Sequence, residues 1–275
     1  MSSAPFTDVA RLSFNQATSE RASLPEVIDS CARHAVPRIS IWRHKLAETG
    51  VARTASLLRD AQLAVSSICR GGMFPAVTAA VRAERIDDNR RAIDDAASLG
   101  AEVLVLVCGA APDRDIAGAR QMVADGIEAV APHAAAAGVR LGIEPLHPAF
   151  AAERSCITTL REARLIAERF DAATVGVVVD VYHVWWDPER DAEIALLGPR
   201  IAGYHMNDWL VPTRDVLLGR GMMGDGVIEL RAIRDAVDRT GYAGPIEVEI
   251  FNETIWAMPL DDVMRLTKER YLTFA

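Results

Sequence analysis

Short apolar runs alternate with longer amphipathic segments along the whole chain, and this alternation predicts eight strands and eight helices. The apolar runs are rich in β-branched residues, which favour strands, whereas the longer segments repeat apolar positions at the helical period. The predicted strands cover residues 11–16, 38–43, 64–70, 101–109, 140–148, 175–184, 201–208 and 245–252. The predicted helices cover residues 23–36, 51–62, 85–100, 118–138, 159–170, 191–198, 229–240 and 260–274.

Local signals mark the boundaries of several predicted helices. Ser23, with Glu26 three residues later, has the spacing of a capping box, in which both side chains accept hydrogen bonds from backbone N–H groups at the helix start. Gly100 and Gly138 directly follow two other helical patterns, and glycine is the residue that most readily adopts the left-handed backbone at a helix end. These signals support the predicted order of elements.

The strict alternation of strand and helix predicts the fold class. Near-continuous apolar strands separated by helices indicate a parallel sheet that helices cover. Eight such repeats in 275 residues fit a single (β/α)8 TIM barrel, and a doubly wound open sheet is the main alternative. Since no linker, low-complexity tract or shift in composition interrupts the pattern, we expect one domain over residues 1–275.

Composition and charge limit the partners that the chain is expected to have. The net charge is −8, and contacts to nucleic-acid phosphates need clustered Lys and Arg, so no nucleic-acid partner is expected. No apolar run reaches the ~20 residues that span a bilayer, and the N-terminus lacks a signal-peptide pattern. The four cysteines are scattered, as expected for reduced thiols. We therefore expect a cytoplasmic protein without membrane partners, and the pattern leaves homo-oligomerisation open.

Four polar residues stand where predicted strands five to eight end: Glu144, Asp180, His205 and Glu249. A parallel barrel gathers the carboxyl ends of its strands at one face, so these side chains are expected to converge there. Three unpaired carboxylates at close range would repel one another, and a divalent cation removes that conflict. The mixed oxygen and nitrogen set predicts one metal ion, Mn²⁺ foremost, with Mg²⁺, Co²⁺ or Zn²⁺ as alternatives.

Further polar and aromatic residues are expected near the same face. Trp42 at the end of strand two is a candidate to stack on a substrate ring, and a purely structural role is equally compatible with its position. Arg43 and Arg70 are candidates to bind a phosphate or carboxylate, with solvated surface positions as the alternative. Glu247 shares a strand face with Glu249 and is expected to be a structural acid, and Asp208 is a candidate partner for His205.

The segments GIEPLHP, VVVDVYHVWW, YHMND and PIEVEIF resemble the metal-site motifs of the sugar phosphate isomerase/epimerase family, within the xylose isomerase-like TIM-barrel superfamily. The resemblance implies that Glu144, Asp180, His205 and Glu249 hold the metal and that the two glutamates exchange protons with the substrate. It also implies that His183 touches a substrate oxygen. An arginine that binds substrate is expected at Arg220, with Arg214 as the second choice.

One departure from that family concerns the substrate. Ketose epimerases carry a substrate-binding glutamate where this chain has Phe150, and His147 is a candidate to substitute for it. The expected function is a metal-dependent isomerase or epimerase of a small carbohydrate, acting by proton abstraction α to a carbonyl. A lyase or dehydratase of a keto-sugar or keto-inositol is the alternative. Too few histidines and an acidic surface argue against an endonuclease, and the four ligands argue against a non-catalytic binding protein.

Overall fold

A computed structural model describes residues 5–275, and in it eight parallel strands close into a barrel. Each strand pairs with the next along the chain, and the eighth pairs with the first. The predicted (β/α)8 barrel is therefore confirmed, and the open sheet is excluded. The barrel strands are β1 Leu12–Asn15, β2 Arg38–Trp42, β3 Ala64–Gly72, β4 Val103–Val107, β5 Arg140–Glu144, β6 Val175–Asp180, β7 Ile201–Met206 and β8 Ile246–Val248.

Helices surround the barrel; eight of them agree with the predicted segments with one clear exception in their bounds, and three short ones, over residues 43–49, 181–184 and 253–256, were not predicted. The exception is the helix expected from residue 85, which starts at Ala79 because the Thr78 side chain accepts a hydrogen bond from the N–H of Val81. The helices are α1 Leu24–Arg33, α2 Arg43–Thr49, α3 Val51–Asp60, α4 Ala79–Ser98, α5 Ile116–Ala137, α6 Leu160–Ala167, α7 Val181–Val184, α8 Arg190–Leu197, α9 Leu230–Arg239, α10 Glu253–Trp256 and α11 Leu260–Phe274. Short 3-10 turns cover Gln16–Ser19, Pro148–Phe150 and Gly198–Arg200.

The interior of the barrel is packed with small and branched apolar side chains. Val103, Val105 and Val178 are buried there together, and a separate and larger core lies between the strands and the surrounding helices. Gly142 sits in the same layer, where an added Cβ would approach side-chain atoms of Val178 and Val103 to 2.8 and 2.9 Å. This packed layer lies below the carboxyl ends of the strands, where a parallel barrel carries its active site.

The predicted strand over residues 175–184 is shorter in the structure. It ends at Asp180, whose carboxylate accepts a hydrogen bond from the N–H of Tyr182 at 2.8 Å and starts the one-turn helix α7. His183 therefore lies on a helical turn above the strand end, and it is buried. The sequence pattern alone could not distinguish this turn from a continued strand, because Val181 and Val184 suit either structure.

A short antiparallel pair that the sequence pattern did not predict follows β7. Asp208–Trp209 pairs with Arg220–Gly221, and residues 210–219 form the loop between them. The N–H of Arg220 also bonds the carbonyl of Phe251, at 3.1 Å, next to β8. These contacts hold Arg220 over the ends of the neighbouring strands. Over residues 5–275, no helix combines the length and apolarity needed to cross a membrane.

Candidate metal centre and active site

Glu144, Asp180 and His205, here called the carboxylate–histidine cluster, end strands β5 and β6 and lie near the end of β7. Each offers one ligand atom, and these atoms all lie within 4.8 Å of one another. The three residues are at most 5% exposed. Asp180 and His205 are register partners in the β6–β7 ladder, so the barrel itself sets their distance. The cluster is a candidate site for a metal ion.

Two atoms of the cluster are buried without a hydrogen-bond partner in the part of the chain that the structure describes: Glu144 Oε1 and His205 Nδ1. They are 3.2 Å apart. Burial raises the pKa of Glu144, although the positive charge of His205 opposes this rise. The two atoms form an ion pair with each other, and neither has a further hydrogen-bond partner among the described residues. A divalent cation that accepts oxygen and imidazole ligands would satisfy both atoms, so the donor set fits the expected metal.

Glu249, the fourth expected ligand, lies one residue beyond β8 and is buried beside the cluster. Arg220 Nη1 lies between two carboxylates, at 2.8 Å from Glu249 Oε2 and 3.2 Å from Asp180 Oδ2. Asn15 donates to the other oxygen of Glu249 at 2.9 Å. The Arg220 guanidinium is packed over the rings of Tyr182 and Phe251, each at 4.7 Å. Glu249 thus adjoins the cluster but is held by Arg220 and Asn15.

The two carboxylates that contact Arg220 differ in protonation. Burial raises the pKa of Glu249 to about 7; the positive charge of Arg220 opposes this rise, and the negative charge of Glu144 adds to it. Burial would also raise the pKa of Asp180, but its neighbours His183, Arg220 and His205 together outweigh burial, so the net shift of the pKa is downward. Asp180 is therefore ionised, whereas Glu249 can gain or lose a proton near neutral pH.

The far side of the His205 ring faces a second acid. Nε2 of His205 lies 3.6 Å from Oε1 of Glu247, which also accepts a hydrogen bond from Asn15 at 2.6 Å. The Ser67 and Ser66 hydroxyls donate to the other Glu247 oxygen at 2.9 and 3.2 Å. Burial would lower the pKa of His205, but Glu247 and Glu144 outweigh it and raise the pKa to about 10. Glu247 therefore acts on the imidazole through its charge, which favours the protonated ring.

The expected pairing of Asp208 with His205 is wrong. The Asp208 carboxylate instead accepts hydrogen bonds from four backbone N–H groups at 2.9–3.0 Å, and it fixes the loop after β7. Those four groups belong to Trp209, Gly224, Gly226 and Ile228. The error arose because sequence proximity favoured Asp208, whereas Glu247 reaches His205 across the β7–β8 ladder, where the two residues are register partners.

His183 is buried beside the cluster in a defined tautomer. Its Nδ1 accepts a hydrogen bond from the N–H of His147 at 3.2 Å, so Nε2 carries the proton. Nε2 lies 3.7 Å from Asp180 Oδ2 and 3.4 Å from Arg220 Nη2. Burial lowers the pKa of His183 to about 3, although Asp180 opposes this shift. The imidazole is therefore a neutral N–H donor above the cluster.

A pocket of about 380 Å³ opens above the cluster and contains most of the expected substrate-binding residues. Glu144 and Glu249 line it together with Trp42, Arg70, His183 and Arg220. The indole N–H of Trp42 donates to Asn15 Oδ1 at 3.0 Å, which fixes the ring at the wall.

Two of the expected candidates do not line this pocket. The His147 ring packs against Trp186 and Trp209, and its backbone N–H is what contacts His183. Arg43 forms a two-pronged ion pair with Asp88, at 2.8 and 3.0 Å, on the outer side of the barrel. A residue that sequence reasoning missed, Arg154, does line the pocket, along with Phe150. Its position in the loop after β5 was the available signal, because loops after parallel strands form this face.

A family model described as xylose isomerase-like TIM barrel matches residues 29–270. The closed barrel, with the carboxylate–histidine cluster at the carboxyl ends of its strands, agrees with this match. The chain belongs to the xylose isomerase-like TIM-barrel family.

Several solved structures share this fold. A crystal structure of a protein from Sinorhizobium meliloti 1021 is 47% identical with a TM-score of 0.94, and the match covers 97% of this chain and 98% of that one. The IOLI protein, solved with a binding zinc atom, is 18% identical with a TM-score of 0.85 over 96% and 97% of the two chains. A D-psicose 3-epimerase solved with D-fructose is 18% identical with a TM-score of 0.74 over 96% of each chain. The last two show likeness of fold alone.

A curated relative is similar in sequence over part of its length. A 3-dehydroshikimate dehydratase of Pseudomonas aeruginosa is 31% identical over 189 residues, which is 65% of this chain. The match covers 28% of the relative, so this chain corresponds to little more than a quarter of that protein.

Proposed function

We propose that this chain is a divalent-metal-dependent enzyme that removes a proton from the carbon next to a carbonyl of a small carbohydrate or carbohydrate derivative, and that it acts as an isomerase or epimerase. The observation that carries the proposal is the pair Glu144 and Glu249, two buried carboxylates with raised pKa that line the same pocket beside a candidate metal site. Two acid–base groups at one pocket are what removal and return of a proton require.

The proposed metal ligands are Glu144, Asp180, His205 and Glu249. When bound, the divalent cation would supply Lewis-acid stabilisation of the negative charge that develops on the substrate oxygens. Mn²⁺ is the first candidate, and Zn²⁺ gains support from the zinc atom in the IOLI structure.

The remaining side chains in the pocket act through hydrogen bonds and proton transfer. Glu249 accepts the α-proton or returns it, and Glu144, which lines the same pocket, serves in the same role. The neutral Nε2–H of His183 and the guanidinium of Arg220 donate hydrogen bonds to substrate oxygens. Arg220 also keeps Asp180 ionised, so that it remains available as a ligand.

A lyase or dehydratase is the second candidate function, and the dehydratase name of the sequence relative favours it. The first step, α-proton removal, is the same, and the two functions differ in whether a β-hydroxyl then leaves. The match spans about a quarter of that relative, so we extend its activity to this chain only as a proposal.

Proton exchange in D₂O tests the shared step before any product is assumed. The protein loaded with Mn²⁺ is incubated with D-fructose, D-psicose, D-tagatose and 3-dehydroshikimate, and NMR follows the loss of the α-proton signal. New epimer signals support an epimerase, whereas an ultraviolet-absorbing conjugated product supports a dehydratase. Deuterium incorporation from none of these compounds, with metal bound, would count against the proposal for these substrate classes.

Substitutions inside and outside the pocket test whether turnover depends on the proposed site. Glu144→Gln and Glu249→Gln are each expected to lower turnover by about 100-fold or more, the scale of a lost acid–base group. Glu168→Gln is the matched control, because Glu168 pairs with Arg164 on the outer face of the barrel and lies outside the pocket. Full turnover by Glu144→Gln would contradict the proposed role of that carboxylate.

A further inference from the structure

The pocket above the cluster carries two arginines that the proposed chemistry does not use. Arg70 at β3 and Arg154 after β5 both line it. Within residues 5–275, neither guanidinium forms an ion pair with a carboxylate. The polar contact of Arg70 is to Met73 Sδ at 3.2 Å, and Nε of Arg154 is buried without a hydrogen-bond partner.

Three other buried or half-buried arginines of the barrel pair with carboxylates. Arg164 lies 2.6 Å from Glu193, Arg43 reaches Asp88, and Arg220 reaches Asp180 and Glu249. A guanidinium withdrawn from water without an anion loses hydration that nothing replaces. Two unpaired guanidiniums that line one pocket therefore indicate that an anion from outside the protein binds there.

The balance of charge in the pocket agrees with this reading. A divalent cation would compensate two of the three carboxylates among Glu144, Asp180 and Glu249, and Arg220 compensates the third. The charge of Arg70 then has no carboxylate partner in the pocket. Burial lowers the pKa of Arg154, the negative charge of Glu153 opposes this shift, and the positive charges of Arg70 and Arg220 add to it.

The backbone around both arginines is held by hydrogen bonds. The Asn89 side chain accepts from the N–H of Gly72 at 2.6 Å and donates to its carbonyl at 2.8 Å, two residues beyond Arg70. The N–H of Arg154 bonds the carbonyl of Phe150 at 2.8 Å, and its carbonyl accepts from Gly109 at 2.9 Å. The Phe150 ring lies beneath the Arg154 guanidinium, at 5.9 Å. The two cationic groups are therefore carried on ordered backbone.

We propose that Arg70 and Arg154 form an anion subsite that binds a carboxylate or phosphate group of the substrate, while the carbonyl end of the same molecule lies against Glu144 and Glu249. The inference rests on the proposed function and narrows it: the substrate is an anionic polyhydroxylated carbonyl compound and not a neutral sugar. Phe150, which packs against Arg154 in the pocket wall, carries no charge that would oppose an anion.

Calorimetric binding to the Mn²⁺-loaded protein tests the subsite with unreactive probes. Quinate presents a carboxylate on a cyclic polyol, sorbitol 6-phosphate presents a phosphate, and myo-inositol is neutral. We expect at least one anionic probe to bind about 10-fold or more tightly than myo-inositol, the scale of one charge-assisted hydrogen bond. The probe that binds more tightly identifies the anion as a carboxylate or a phosphate.

Variants of the two arginines complete the test. Arg70→Gln and Arg154→Gln are each expected to raise the dissociation constant of the preferred anionic probe about 10-fold or more, and to change that of myo-inositol by less than about twofold. Arg161→Gln, at an exposed arginine of α6, is the control for net charge and is expected to leave all three constants unchanged. Arg154→Lys keeps the charge and is expected to retain most of the anion preference, which a misfolded variant would not.

Two results would overturn the subsite. One is equal binding of neutral and anionic probes by the unmodified protein, and the other is equal weakening of both kinds of probe in the two glutamine variants. Failure of the proposed function has a different signature, namely anion binding that depends on Arg70 and Arg154 without proton exchange in any carbonyl compound. Metal titration of each variant accompanies the binding data, because an intact metal site shows that the barrel has folded.

Discussion

Glu144 Oε1 and His205 Nδ1 face each other across 3.2 Å, and both are buried without a hydrogen-bond partner among residues 5–275. They come from the strands on either side of β6, whose last residue, Asp180, completes the cluster. A metal ion is the simplest group that would satisfy both atoms at once. The relationship leads to a direct prediction about metal binding.

Replacing the residue that carries either atom should weaken metal binding strongly. Glu144→Gln and His205→Ala are each expected to weaken Mn²⁺ or Zn²⁺ binding by at least about 100-fold, since loss of an outer partner alone typically costs 10–100-fold. Metal analysis after gel filtration, together with calorimetric titration, measures the change. Glu168→Gln is the control on the outer face of the barrel and should bind one equivalent. Normal metal content in Glu144→Gln would show that the ligand set is different.

Glu247 should act on the metal through His205. Glu247→Gln keeps the size of the side chain but removes the charge that faces His205 Nε2 at 3.6 Å. We expect metal affinity to fall about 10–100-fold, with the stoichiometry unchanged, because the acid orients the imidazole and raises its basicity. Calorimetric titration with Zn²⁺ gives both quantities. An unchanged affinity would mean that the negative charge of Glu247 contributes nothing to metal binding.

Metal affinity should rise with pH, and more steeply below about pH 7 than above it. A ligand must lose its proton before it binds a metal. The pKa of Glu249 is raised to about 7 and that of His205 to about 10, so His205 releases a proton throughout this range and Glu249 releases one only below about 7. Titrations between pH 5.5 and 9 give the slope of log affinity against pH. Each proton released on metal binding contributes about one decade of affinity per pH unit to that slope.

The Glu249→Gln variant separates the two contributions. Its affinity is expected to be lower overall, but the slope below pH 7 should fall to the value found above it, because the variant has no carboxyl proton to release. If the slope of the unmodified protein is the same on both sides of pH 7, Glu249 is either ionised in the metal-free protein or not a ligand.

Asp208 should matter for stability rather than for the metal. Asp208→Asn leaves one acceptor oxygen where the carboxylate accepts four backbone hydrogen bonds, two at each oxygen. We expect a loss of about 1–3 kcal/mol in the free energy of unfolding, the cost of buried donors that lose their acceptor. Thermal and urea unfolding measure the loss, and zinc titration serves as the control. Asp208→Asn should bind zinc with affinity close to that of the unmodified protein, in contrast with Glu247→Gln.

The barrel and the carboxylate–histidine cluster could be predicted from the sequence because both depend on local patterns. Strand and helix periods are visible within single segments, and closure of a parallel sheet brings the carboxyl ends of all strands to one face. A polar residue at the end of an apolar run was therefore enough to predict that Glu144, Asp180 and His205 converge. The predicted barrel was confirmed, and those three residues do lie within ligand distance of one another.

Only the tertiary structure decided how the remaining side chains are arranged around that cluster. Arg220 reaches Asp180 because an antiparallel pair folds the chain after β7 back over the barrel, and Arg154 reaches the pocket because its backbone bonds Gly109. Glu247 lies beside His205 because the two are register partners on neighbouring strands, although they are far apart in the sequence. Each of these depends on contacts between residues far apart in the chain, and local hydrophobic periodicity carries no information about such contacts.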